Sequence, residues 1–194
     1  MMRRWCALGL ALAAFAAGPA LAGQAVVASG RADGAVPAWT VTAQAPEGWT
    51  ADCCTYARAI GVDAVVYRGE WSGEPQRVMV LNVWPAKLAT LDAELVADRT
   101  HYLHRDPAGR AATLPIAHPS MHCAANVYEG SDHVDDMVVF CDPGKASGVR
   151  LSWSMTLAAN DARRRALLDE LLAVVRSTNY RRGATTLPAP AAPH

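Results

Sequence analysis

The chain has no second long apolar run after its first twenty or so residues, so no membrane span is expected beyond that point. Lysine is scarce: Lys87 and Lys145 are the only two among 18 basic side chains, and the rest are arginine. Eighteen acidic side chains balance them, which leaves no basic excess of the kind a general nucleic-acid binder needs. Arginine over lysine, with abundant alanine, points to a GC-rich bacterial genome, a matter of codons rather than function. The familiar catalytic signatures are missing too. No Gly-x-Ser-x-Gly elbow and no Ser-x-x-Lys occurs, which excludes the usual serine-hydrolase and penicillin-binding sites. Neither Cys-x-x-Cys, His-Glu-x-x-His nor a glycine-rich phosphate loop is present. There is no internal repeat.

What is present begins with residues 1–22, which read as a secretory signal peptide. Arg3 and Arg4 form its positive n-region, Trp5 to Ala17 is apolar, and Ala20-Leu21-Ala22 is the small-x-small cleavage site. The twin arginines lack the rest of a Tat motif, so the Sec route is expected. No lipobox cysteine sits at the cleavage site, and Cys6 is discarded with the signal. About 170 residues then remain, enough for one domain with a real core. The expected location is periplasmic or secreted.

Residues 23–37 are rich in Gly, Ala and Ser and read as a flexible lead-in. Trp39 to Ala43 alternates as a strand, and Pro46-Glu47-Gly48-Trp49 is a turn. Ala64 to Trp71 and Arg77 to Trp84 read as two strands of a hairpin joined through Ser72 to Gln76. The second is apolar at nearly every position, a pattern expected of a strand covered on both faces. Leu88 to about His104 is a helix candidate with Leu88, Leu91, Leu95 and Tyr102 near one stripe, weakened by Asp98 and Arg99. Residues 106–121 hold three prolines and a glycine and read as a connection. Three strands follow: His122 to Tyr128, Met137 to Cys141, and Val149 to Leu157. In the last, Val149, Leu151, Trp153, Met155 and Leu157 face one way, and Arg150, Ser152, Ser154 and Thr156 the other. Asn160 is the expected N-cap of a closing helix whose apolar face is Leu167, Leu168, Leu171, Leu172 and Val175. Residues 181–194 are a Pro/Ala-rich tail expected to be disordered. The fold class is therefore α+β: one domain over 38–180, with a mainly antiparallel sheet covered by two helices.

This order resembles the PsbP/DcrB-like family of exported α/β/α sandwich proteins. The resemblance spans about residues 38–180. It rests on Pro46-Glu47-Gly48-Trp49 after a strand, the hairpin around Gly73, the middle helix, the meander, and a closing helix ending in Val174-Val175-Arg176-Ser177-Thr178. It implies an accessory or binding protein without a shared catalytic motif, so it carries over no functional residues. Cys53 and Cys54 belong to no pattern of that family.

Outside the signal the chain holds Cys53, Cys54, Cys123 and Cys141. An even count in an oxidising compartment favours disulfides, with three connectivities to choose from. A hairpin centred on Asp132 pairs Cys123 with Cys141, Ala125 with Val139, and Val127 with Met137, all on one face. Opposed residues of a non-hydrogen-bonded pair have Cα atoms about 4.5 Å apart, within bridging range. A bridge there closes a loop of about 17 residues and stabilises by roughly 3 kcal/mol. For Cys53 and Cys54 three readings stay open: a vicinal disulfide, one bond from each to a hairpin cysteine, or two thiols used in redox or metal chemistry. Adjacent strand residues point to opposite faces, which counts against the second. A structural disulfide is the preferred reading.

Other candidate chemistry has a bland counterpart in each case. His101 and His104 lie three apart on the expected helix, and His118, Met121, His122 and Cys123 offer soft and borderline metal ligands. A bridge at Cys123 removes it from that set, and no metal site is expected. Glu129, Asp132, Asp135 and Asp136 crowd one loop without EF-hand spacing, and read as a solvated acidic hairpin tip. Cys54 with a distant histidine would make a thiol nucleophile only if it escaped oxidation. A carboxylate pair for glycoside hydrolysis carries no local motif. Trp39, Trp84 and Trp153 are expected in the core. Trp49 and Trp71 sit beside turns, where an aromatic residue either packs inward or anchors a partner. Taken together, no catalytic residue and no cofactor is expected. The protein reads as an exported bacterial binding or accessory protein whose partner is a protein or envelope component, with a periplasmic metal-binding or thiol-redox protein as the alternative.

Overall fold

The computed structural model describes residues 25–34, 36–74 and 78–183. The signal segment, residues 75–77 of the hairpin loop and the tail from 184 lie outside the described residues. The strands are β1 (Ala25–Gly30), β2 (Trp39–Gln44), β3 (Trp49–Asp52), β4 (Ala64–Arg68), β5 (Val78–Pro85), β6 (Arg110–Ile116), β7 (His122–Glu129), β8 (Val134–Asp142), β9 (Val149–Ala158) and β10 (Asn179–Arg182). The helices are α1 (Tyr56–Ala59), α2 (Leu91–Arg105) and α3 (Arg164–Ser177). Seven strands form one antiparallel sheet in the order β3-β4-β5-β9-β8-β7-β6, and β1-β2-β10 form a small second sheet. This is the α+β, mainly antiparallel class expected.

β9 runs through the middle, and its alternation is realised. Val149, Leu151, Trp153, Met155 and Leu157 are all buried in the main core. That core lies between one face of the large sheet and a cover made of α3 and the small sheet. Leu167, Leu171, Val174 and Val175 of α3 are buried in it, with Leu168 and Leu172 packed at its margin. A buried hydrogen bond closes the joint: the Trp153 indole Nε1–H donates to Thr178 Oγ1 at 2.9 Å, just past the end of α3.

Several elements depart from expectation, each for a physical reason. The stretch read as a lead-in contains β1, paired along its whole length with β2. Its small residues are there for packing: a Cβ on Gly30 would collide with the Trp39 indole. The stretch read as a connection contains β6, whose Pro115 is tolerated because β6 is the edge strand of the large sheet. The three-strand meander is thus four, β6 to β9. Asn160 does not cap α3. An Asp161 turn intervenes, with Asp161 Oδ1 accepting the Arg163 N–H at 2.7 Å, and the helix starts at Arg164. The middle helix starts at Leu91, not Leu88, because Thr90 Oγ1 accepts the Ala93 N–H at 3.1 Å. Trp71 lies beyond the end of β4. The small sheet extends the ordered chain to β10, past residue 180.

Candidate functional site

The second face of the large sheet is the unusual one. Its residues are the outward set of each strand, and among the described residues two separate patches of cover protect only parts of it. At the β6–β8 end, Leu91 and Leu95 of α2 pack on Ala124 and Phe140, with Trp84 and Val138 alongside. Asp98, which interrupts the apolar stripe of α2, is used here: it accepts from Asn126 Nδ2 at 3.1 Å and from the Tyr128 hydroxyl. Tyr102 stacks on Tyr128 with centroids 4.0 Å apart. Burial, followed by the bond to Asp98, pushes the Tyr128 phenol far above the ordinary tyrosine range. Burial and the neighbouring Asp136 raise Tyr102 as well. Both phenols therefore hold their protons and serve as packing groups, not bases.

At the opposite end, α1 covers β4 and β5. Ala57, Val65 and Val78 are buried there beneath an aromatic group. Tyr56 stacks on Trp71 at 4.7 Å and 11°, and Tyr67 meets both edge-on, at 5.6 Å and 5.5 Å. The α1 turn is held by one carboxylate: Asp52 Oδ1 accepts N–H bonds from Thr55, Tyr56 and Ala57 at 3.1, 2.7 and 2.9 Å.

Between these patches the sheet is left partly open. Val80 of β5 pairs with Ser154 of β9, which pairs with Val138 of β8; Thr156 faces Asp136. Val80, Ser154, Val138 and Thr156 are all only half-buried, although they lie in the middle of a seven-stranded sheet. This corrects the expectation that β5 is covered on both faces. The trough so formed holds a cavity of about 180 Å³ floored by Val80, Ser154 and Thr156 and walled by Trp71, Ile60 and Gly73. Ile60 is 49% exposed, a large apolar side chain at the rim.

Two larger hollows, of about 320 and 580 Å³, lie around the β7–β8 turn. Their polar groups serve each other. Asp106 accepts from the backbone of Ser131 and Gly109, bonds that hold its carboxyl below the usual range. Asp132 accepts from Val134 N–H, and Asp136 takes the Thr156 hydroxyl. Asp135 is buried and forms an ion pair with Arg164 at 2.7 Å, while Glu129 pairs with Arg110 at 3.8 Å on the surface. The acidic quartet is therefore not a uniformly solvated tip; half of it is structural.

The candidate metal ligands do not converge. His118 Nδ1 accepts from the N–H groups of Ser120 and Met121, at 3.1 and 3.0 Å, so its proton belongs on Nε2, which donates to Thr178 O at 3.1 Å. Met121 is buried in the core, whereas His122, His101 and His104 are exposed. Among the described residues no group of three or more His, Cys, Asp or Glu is placed to hold a metal ion. Of the tryptophans, Trp39, Trp49 and Trp153 are buried, Trp84 and Trp71 half-buried. Trp49 Nε1 donates to Glu170 of α3 at 3.0 Å.

Cys123 and Cys141 face each other in the expected register, with Cα atoms 4.2 Å apart and sulfurs at bonding distance inside the core. Cys53 and Cys54 are also at disulfide distance, as a vicinal pair with Cα atoms 3.7 Å apart, in the β3–α1 loop. What sequence reasoning missed is the trough. Its one signal was the Ser152-x-Ser154-x-Thr156 alternation, which describes a sheet face without naming what covers it.

The fold is similar to the solution structure of cyanobacterial PsbP (CyanoP) from Synechocystis sp. PCC 6803, with a TM-score of 0.51 and 15% sequence identity over 86% of this chain and 97% of that one. The resemblance read from element order thus holds at the level of fold. No family model and no curated protein sequence matches the chain.

Proposed function

We propose that the protein is an exported, non-enzymatic binding or accessory protein of the bacterial cell envelope, and that it takes one anchoring side chain of a partner protein in the trough between α1 and α2. The observation that carries this reading is the half-open centre of the large sheet, bordered by Trp71 and the exposed Ile60. Its size selects the occupant. About 180 Å³ is below the 300–1,000 Å³ typical of cofactor and small-molecule sites, and suits an apolar or aromatic anchor of the kind that dominates protein interfaces. Ser154 and Thr156 on the floor give the anchor hydroxyl partners and so orientation. Export is supported by the 1–22 segment and by the two cysteine pairs at bonding distance, which suit an oxidising compartment. No helix among the described residues is long and apolar enough to cross a membrane.

The test is a photo-crosslinking residue placed at Ile60 in the producing cells, followed by fractionation. The expected result is one discrete protein adduct in the envelope fraction. Adducts absent from that fraction, or a smear equal to that from a probe at exposed Leu88, would sink the reading.

A further inference from the structure

The two cysteine pairs sit in opposite settings. Cys123 and Cys141 are 3% and 0% exposed, inside the main core and between two interior strands, β7 and β8. No thiol reaches them without opening the sheet. Cys53 is half-buried against the core margin, and its neighbour Cys54 is exposed. A bond between adjacent residues closes almost no loop, so opening it frees little chain. The loop that carries the pair is held by other means. Asp52, directly before it, keeps three N–H bonds into α1 and pairs with Val65 of β4, and none of these contacts involves sulfur. The loop thus has anchors that do not depend on the sulfur bridge. Exposed bridges of this kind are the labile and functional ones, and buried bridges the inert ones.

From this contrast we propose that Cys53–Cys54 is a reversible thiol–disulfide exchange site whose partner is a dithiol. A partner thiolate attacks the exposed Cys54 sulfur. The Cys53–Cys54 bond breaks, a mixed disulfide forms at Cys54, and Cys53 leaves as a thiolate that takes up the proton the partner thiol released. The partner's second thiol, giving up its proton, then attacks the partner sulfur of the mixed disulfide, and Cys54 leaves and takes that proton. Two electrons and two protons pass to the pair, and the partner departs as a disulfide. In the reverse sequence a partner disulfide accepts two electrons and two protons from the Cys53 and Cys54 thiols, which closes Cys53–Cys54 and leaves the partner as a dithiol. The site stands whether or not the trough binds a protein.

The test uses the full exported chain in a series of reduced-to-oxidised dithiothreitol ratios, quenched with iodoacetamide and read by peptide mass. The expected result is joint alkylation of Cys53 and Cys54 in protein that keeps its near-UV circular dichroism, with Cys123–Cys141 still closed, and closure of the pair again on adding oxidised glutathione. Four results would overturn the proposal: no alkylation before denaturation, both bridges opening at one ratio, loss of near-UV signal as the pair opens, or thiols that no oxidant closes.

Discussion

Thr178 is the residue where the two layers of the core are tied. Its hydroxyl accepts the Trp153 indole N–H and donates to Val174 O at 2.9 Å, and all three groups are buried. Thr178→Val keeps the shape and leaves the indole N–H without a partner, so a loss of about 1–3 kcal/mol is expected. A urea melt checks it, with the midpoint falling at unchanged slope. Asp63 gives a second residue-scale prediction. Burial raises its carboxyl above the ordinary value of 3.8, against the opposing bond from Val83 N–H at 2.6 Å. The folded state therefore keeps this proton to higher pH than the unfolded chain does. Stability falls as pH rises from the ordinary carboxyl range through the folded value, and the penalty is constant above it. Asp63→Asn keeps an acceptor for Val83 and removes that fall, so its stability curve should be flatter than the parent's across this window, as read from melts at a series of pH values. Neither residue was legible in the sequence, because each role depends on a partner at least 20 positions away. Trp153 and the core face of β9 were legible, since alternation reports burial directly.

At the scale of elements, the hairpin β7–β8 was readable in full register from one turn centre. The turn explains why: Gly130 N–H bonds to Val134 O, His133 takes the left-handed region at φ 66°, and a Cβ on Gly130 would strike Val134 O. That geometry sets Cys123 opposite Cys141. The chain-entropy account gives this bridge roughly 3 kcal/mol and the adjacent pair far less, since it closes almost no loop. The double change Cys123→Ala with Cys141→Ala should lower the unfolding free energy by that larger amount, seen as a lower urea midpoint, and raise the slope, because the unfolded chain expands. An unchanged midpoint would show that the bridge contributes nothing to the folded domain. β1 and β6 were not legible. Small residues and prolines are local signals of irregular chain, and here tertiary context overrode them: β1 needs small residues beside Trp39, and β6 is an edge strand that accepts Pro115.

At the scale of the molecule, the described residues bury one face of the large sheet and cover the other incompletely. The fold class could be read from the succession of elements, because short connections force antiparallel neighbours. The trough could not. Its opening depends on α1 having four residues and on α2 packing toward β6–β8, and neither placement leaves a local trace. The trough as binding site is the central claim, and one measurement tests it most directly. A Ser154→Arg change puts a long side chain into the cavity from a half-buried position on its floor, where the strand backbone is undisturbed. Combined with the crosslinking probe at Ile60, it should leave the melting temperature within a few degrees of the parent and reduce the envelope-protein adduct at least tenfold. Full adduct yield in a folded Ser154→Arg protein would contradict the account.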